Sequence, residues 1–252
     1  MSAAPIFGSN LIVNGDAEAG VGSASGFDVV PVPDWTTSGD FTVIQYNAPS
    51  FPTSSGPGPT NRGINFFAGG PSNASSSASQ VIDVSIGAAA IDAGDVTFQL
   101  TGFLGGFEDQ DDNTVLTVTF LSASNMNLGT ASIGPVTRAD RDSLTGLLLR
   151  STAGSLPVGT RNIEPTLQMT RFEGTYNDGY ADNLSLVLTF VEAVPANPQI
   201  PIPCTGSRCK VPITCNLPQD LGTPCTNPID LFAFVRRGSD RLSGDTEARA
   251  PR

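Results

Sequence analysis

The stretch Tyr176-Asn177-Asp178-Gly179-Tyr180-Ala181-Asp182-Asn183-Leu184-Ser185-Leu186-Val187-Leu188 joins a turn-rich acidic loop directly to an alternating apolar strand. Asn177-Asp178-Gly179 is turn chemistry, because Asn and Asp side chains bond their own backbone and Gly accepts positive φ. Beyond it Leu184, Leu186 and Leu188 share one face, and Asn183, Ser185 and Val187 share the other. Asp182 alone breaks the pattern. A carboxylate entering a buried strand is costly unless it is hydrogen-bonded, paired or bound to a cation, and the chain has no His and few cations to pair with it. Two readings stay open: a calcium ligand, or an Asp accepting backbone N–H groups from the preceding turn.

Working outward from that strand, the rest of the chain reads as sheets that it closes. The 27 Gly and 20 Pro among 252 residues argue against helix as the main element. Short alternating runs recur, including Phe41 to Gln45, Gln80 to Ile86, Asp95 to Leu104, Thr114 to Leu121, Leu128 to Ile133, Gly146 to Arg150 and Thr160 to Phe172. Together with Asn10 to Val13 and Gly63 to Ala68 they give about ten strands and no convincing amphipathic helix, the signature of a β-sandwich or jelly roll. Pro165 interrupts one of these runs and points to an edge strand or a bulge. Ala48 to Arg62 and Gly69 to Ser79 read as polar surface loops. The single Trp, Trp35, reads either as a core anchor or as the lining of a groove.

Between two of the strands lies Phe107-Glu108-Asp109-Gln110-Asp111-Asp112-Asn113, with four carboxylates in five residues. Like charges so close repel unless water, cations or a ligand offset them. The spacing is not that of an EF-hand. Arg138 and Arg141, in a later charged turn, are the cations placed to pair with it.

A net charge of −11 with Lys210 as the only lysine disfavours nucleic acid and anionic lipid surfaces. No apolar run reaches the roughly 20 residues that a membrane span requires, so no membrane insertion is expected. Met1 is followed by no charged and apolar leader, although the composition looks exported; removal of a signal would reconcile the two. The absence of His also removes the Ser-His-Asp and Cys-His arrangements.

After Glu192 the composition changes. Residues 192–203 are Pro-rich and read as a semi-rigid linker. Cys204, Cys209, Cys215 and Cys225 fall in the extension 204–235, with gaps that suit zinc poorly, so two disulfides are expected. Residues 236–252 read as a charged, disordered end.

Asn10-Leu11-Ile12-Val13-Asn14-Gly15-Asp16-Ala17-Glu18 at one end and Asp178-Gly179-Tyr180-Ala181-Asp182-Asn183-Leu184 at the other resemble the opening and closing motifs of the galactose-binding-like jelly rolls of bacterial secreted proteins. Carbohydrate-binding modules are the best-known members of that family. The resemblance spans roughly residues 8 to 191. It implies an all-β sandwich with a structural calcium where the first and last strands meet, held by Glu18 and Asp182 with oxygens from Asn14 or Asp16. The chain departs from the sugar-binding members in its few aromatic residues, 7% of the total.

The function expected is a non-catalytic, secreted carbohydrate-binding or adhesion module with a glycan or cell-surface polysaccharide as partner. Its contact surface is placed on the acidic and closing loops, through Phe107, Asp111, Asp112, Tyr176, Asp178 and Tyr180. These combine rings with acceptors, the pairing that a sugar needs. The alternative is a structural surface protein that self-associates into a fibre or layer through its C-terminal extension.

Overall fold

A computed structural model describes residues 6–191, and these form an all-β sandwich of two antiparallel sheets. In chain order the elements are β1 (Thr36–Ser38), β2 (Thr42–Gln45), β3 (Asn65–Pro71), β4 (Ser75–Ser79), β5 (Ile82–Asp83), the short helix α1 (Ala88–Ala93), β6 (Val96–Gly106), β7 (Asn113–Leu121), β8 (Asn127–Ile133), β9 (Gly146–Ser155), β10 (Asn162–Thr170) and β11 (Tyr176–Phe190). The first sheet runs β1-β4-β10-β7-β8, with β5 also on β10; the second runs β2-β3-β11-β6-β9. The linker, the cysteine-bearing extension with Cys204, Cys209, Cys215 and Cys225, and residues 236–252 lie outside the described residues.

Alternation explains the core. Val96, Phe98, Leu100 and Leu104 of β6, Leu116, Val118 and Phe120 of β7, Ile163, Leu167 and Met169 of β10, and Leu184, Leu186 and Leu188 of β11 all point between the sheets and are buried. Trp35 belongs to this core, with its ring edge against Phe67 and its Nε1–H donating to the Asn14 carbonyl at 3.1 Å. A second cluster, built on Ile44, Tyr46, Phe51, Phe66, Leu147 and Tyr180, covers one end of the outer face of the second sheet. The segment read as an unpacked surface loop, Ala48 to Arg62, supplies part of that cover. Phe51 is buried there, and the Arg62 guanidinium donates to the carbonyls of Thr53, Gly56 and Pro59 while lying 5.2 Å from the Tyr46 ring centre.

Four local expectations are corrected. Gly69 to Ser79 contains β4, because Ser76 and Ala78 turn inward while the backbone pairs with both β1 and β10. Gln80 to Ile86 keeps only the two residues of β5, after which Ala88–Ala93 forms α1, favoured by its alanines and closed by Gly94 at φ 79°. Asn10 to Val13 is no regular strand; its one ladder bridge is Asn10 to Val187, supplemented by Leu11 N donating to the Leu186 carbonyl. Pro165 lies in β10, a central strand. Its carbonyl accepts from Gln80 N where pairing passes from β4 to β5, so the ring sits where no ladder donor is required.

Candidate functional site

The opening and closing motifs do meet. Leu184 N donates to the Gly15 carbonyl at 2.8 Å, and Asn10 donates to the Leu184 carbonyl while accepting from Leu186 N. A Cβ on Gly15 would lie 2.2 Å from that Leu184 carbonyl, so only glycine allows this approach. The strand β11 carries one extra residue between Asp182 and Ser185 relative to β6, with Asn183 at φ 50°. One inserted residue exchanges the faces of a strand. Tyr180 and Asp182 therefore point to the outer face of the second sheet, whereas Leu184, Leu186 and Leu188 point into the core.

Beside this bulge the outer face opens into a depression of about 410 Å³, lined among others by Asn10, Asp16, Asn61, Phe103, Asn183 and Ser185. Phe103 is half-buried, packs its inner edge on the outer aromatic cluster and lies opposite exposed Leu149 of β9. Asn183 Nδ2 donates to Asn61 Oδ1 at 3.1 Å, which ties the covering loop to β11. The floor continues along matched rows of β11, β6 and β9: Ser185, Thr101 and Ser151, then Val187, Gln99 and Ala153. Asp16 is the one acidic residue lining the depression. The result is an open, uncharged floor with one ring, amides and hydroxyls. The sequence held a signal for it in the odd-numbered residues of β6, but the bulge that turns the adjoining half of β11 outward is not visible in the alternation.

The two loops assigned to ligand contact are brought together, but through buried contacts. Asp112 is buried, with one carboxylate oxygen accepting from Phe172 N and Glu173 N at 2.6 and 2.9 Å and the other from Asp178 N at 2.9 Å. Tyr180 is fully buried and donates its hydroxyl to Asp178, itself buried; burial is the main reason the Asp178 pKa rises to about 6. Arg141 lies beneath the acidic loop and donates to the carbonyls of Glu108, Gln110 and Leu144. Asp112, Asp178 and Tyr180 thus hold loops together and offer no open surface. Asp111 stays exposed, paired with Arg138 at 3.4 Å. Phe107 and Tyr176 are half-buried, and the Tyr176 ring makes edge contacts with Phe51 and with exposed Phe27 at 5.2 and 5.9 Å.

The residues assigned to calcium fall in two places. Asn14 shapes the opening turn, donating to the Pro33 carbonyl and accepting from Ala19 N, and Asp16 is exposed at the rim of the depression. One oxygen of Glu18 accepts from Ile64 N and Asn65 N at 2.8 and 2.7 Å. Asp182 is fully buried, accepts from the Tyr46 hydroxyl and from Asn183 N, each at 2.7 Å, and has its pKa raised to about 7, chiefly by burial and further by Glu18 and Asp16. Among the described residues no three of His, Cys, Asp and Glu gather closely enough to hold a metal by themselves. Beside Glu18, the buried Asn65 Oδ1 has no hydrogen-bond partner.

No family model and no curated protein matches the chain. Among the described residues no helix is long and apolar enough to cross a membrane. Solved structures similar to it include the enzymatically active domain of tailspike protein 4 of bacteriophage CBA120, at 16% identity and a TM-score of 0.42 over 72% of this chain and 21% of that one. Another is the CBM22-1 and GH10 module pair of an endo-1,4-β-D-xylanase from Clostridium thermocellum, at 16% and 0.38 over 72% of this chain and 28% of that one. The chain thus spans about a fifth and about a quarter of these two. A third, the CBM22-1 xylan-binding domain of a Paenibacillus barcinonensis protein, is similar at 13% and 0.40 over 75% of this chain and 99% of that one.

Proposed function

We propose that the protein is a non-catalytic carbohydrate-binding module of an exported protein, which takes a neutral glycan on the outer face of its second sheet. The observation that carries this is the depression beside Asn183, where the Phe103 ring is flanked by the Asn61 and Asn183 amides and the Ser185 hydroxyl. A ring offers the apolar face of a sugar a partner worth on the order of 1 kcal/mol beyond area burial, and amides and hydroxyls match its hydroxyl groups in both donor and acceptor sense. Binding without hydrolysis is supported by the lining, because glycoside cleavage uses a pair of carboxyl groups across the bond and Asp16 is the one acidic residue lining the depression. Affinity is weak per site, so adhesion depends on repeated presentation. Titration calorimetry with a panel of neutral oligosaccharides tests this, with loss of binding in Phe103→Ala supporting the site and unchanged binding contradicting it.

A structural calcium between Glu18 and Asp182 belongs to the same proposal. It is supported by a fully buried carboxylate whose pKa two nearby carboxylates, Glu18 and Asp16, raise further. Calcium takes six to eight oxygens, so carbonyl groups would complete the set. Bound to the folded state alone, it would raise the melting temperature by mass action. Chelation should lower Tm in the parent and leave Glu18→Gln unmoved; a parent whose Tm ignores both chelator and added calcium contradicts the site.

A further inference from the structure

The second sheet ends on an open edge. Its strand order β2-β3-β11-β6-β9 leaves β9 with a neighbour on one side only. Pairing with β6 runs without a register shift from Gly146 to Ser155, so the backbone groups of β9 alternate strictly between β6 and the free side. Two hydrogen bonds set the phase. Leu156 N donates to the Val96 carbonyl of β6 at 2.8 Å, and Leu147 N donates away from β6, to the Pro57 carbonyl of the covering loop, at 3.1 Å. Leu149, Ser151, Ala153 and Ser155 therefore turn their N–H and C=O groups to the free side. Apart from Arg150 Nη1 on the Leu149 carbonyl, nothing among the described residues bonds to them there. The opposite edge, β2, is covered: Ser23 N donates to the Val43 carbonyl, and Gln45 N donates to the Ser23 carbonyl.

An unpaired edge is a template for another strand, and proteins commonly guard it with charge, proline or a bulge. The free stretch of β9 has none of these guards. Leu149 to Ser155 contains no proline, and its one charged residue, Arg150, is tied to Asp140 at 3.1 Å. Leu149, Ser151, Ala153 and Ser155 have exposed side chains, and three of the four are small. The stretch extends over about 20 Å. Its limits fix what fits. On one side the Pro57 carbonyl already occupies Leu147 N, and on the other β9 ends at Ser155 as the chain turns in to Val96. The midpoint is Thr152. Reversing the strand about Thr152 lays it on itself, with Leu149 opposite Ser155 and Ser151 opposite Ala153, and the position opposite Leu147 then falls beyond the end of the other strand. A second copy thus matches the edge in length, direction and register. Each chain carries a net charge of −11, but the contact itself brings together only one neutralised arginine from each copy.

We propose that the protein forms a two-fold dimer by antiparallel pairing of β9 with β9 of a second copy, about an axis beside Thr152. The contact is isologous and closes on itself. The two five-stranded second sheets become one continuous sheet, whose outer face runs unbroken from copy to copy. The row Ser185, Thr101 and Ser151 of one copy meets the row Ala153, Gln99 and Val187 of the other. Both depressions open on that face. The dimer does not rest on the glycan reading; its use does, since two weak sites on one face engage a long chain together.

Sedimentation equilibrium of the full chain, with a thiol reductant present to open any disulfide, measures the mass from about 1 μM to about 1 mM, the range in which an interface of this small size dissociates. Three variants are compared: Ala153→Pro, which removes an outward N–H and no bond to β6; the double variant Ser151→Lys with Ala153→Lys; and the double variant Ser151→Lys with Ala153→Glu. Parental melting verifies folding, and should Ala153→Pro not fold, the two double variants decide alone. In the two-fold register positions 151 and 153 of the two copies lie directly opposite, so the first double variant sets like charges across the contact and the second sets opposite charges. The parent should approach twice its monomer mass. Ala153→Pro and the double lysine variant should raise the dissociation constant about tenfold or more, and the lysine and glutamate variant should keep it near the parental value. A parent that stays monomeric at about 1 mM overturns the dimer. A dimer that the proline and double lysine variants leave untouched has its interface elsewhere in the chain and overturns the β9 contact, and equal loss in both double variants overturns the two-fold register.

Discussion

Asp112 shows how a residue in an acidic run becomes structural. It accepts three backbone N–H groups, from Phe172, Glu173 and Asp178, and so binds the acidic loop to the closing turn. Replacing it by alanine leaves Asp178 N buried without a partner and the Phe172 and Glu173 donors to water, so Asp112→Ala should lower unfolding free energy by about 1 to 3 kcal/mol in urea titration. Tyr180→Ala should cost about 3 to 5 kcal/mol, as emptying a core aromatic site does, since the ring is fully buried against Phe51 and Phe66. A midpoint near the parental one for either would contradict their placement. The sequence could not tell Asp112 from Asp111 beside it, because a run of carboxylates reads as uniformly solvated. The difference arises from the chain reversal into β7, which turns Asp112 inward and leaves Asp111 to Arg138. Arg138 and Arg141 were legible as partners of that loop from their charge alone, and the structure places both on it.

The bulge in β11 governs the site at the scale of the element. From the sequence, Asp182 stands out of place because the period of two puts it on the same face as Leu184; the extra residue at Asn183 moves it to the other face, where Tyr46 meets it. Most strands were legible, since β6, β7, β10 and β11 alternate cleanly, whereas β4 lacks the branched and aromatic residues that mark a strand. The closing turn also carries a dependence on pH. Asp178 is held at a pKa of about 6, first by burial and then by Asp112, against the lowering influence of the Tyr180 hydroxyl and Arg141. A carboxyl raised above its unfolded value favours the protonated state on folding, so its contribution is fully present below pH about 4 and is lost as pH rises through 6. Melting should therefore weaken between pH 4 and 7 by on the order of 2 kcal/mol from this group, and Asp178→Asn should flatten the slope. A parent and variant with parallel pH profiles would contradict the burial of this carboxyl.

At the scale of the whole molecule, two sheets enclose one core and β11, near the centre of the second sheet, completes it before Val191. A chain ending at Glu192 should accordingly melt within a few degrees of the full chain and give a strand-dominated circular dichroism spectrum; loss of cooperative melting would mean that later residues are needed for folding. The sandwich was readable from alternation and turn chemistry, and the meeting of its opening and closing motifs only from the resemblance those motifs carry; the sequence leaves Trp35 between core and groove, and only the packing of its ring on Phe67 decides. The depression on the second sheet was not readable, because it depends on which side of a sheet a covering loop leaves open, and that is decided by Phe51 and Arg62 folding over the outer cluster. The direct test of the proposed glycan-binding groove is calorimetric titration of neutral oligosaccharides into the parent, Phe103→Ala, Asn183→Ala and Phe27→Ala. Weak binding by the parent, reduced about tenfold or more in the Phe103 and Asn183 variants with cooperative melting retained and unaffected by Phe27→Ala, is the expected result; binding that survives both groove substitutions, or that is lost with Phe27 alone, would contradict it.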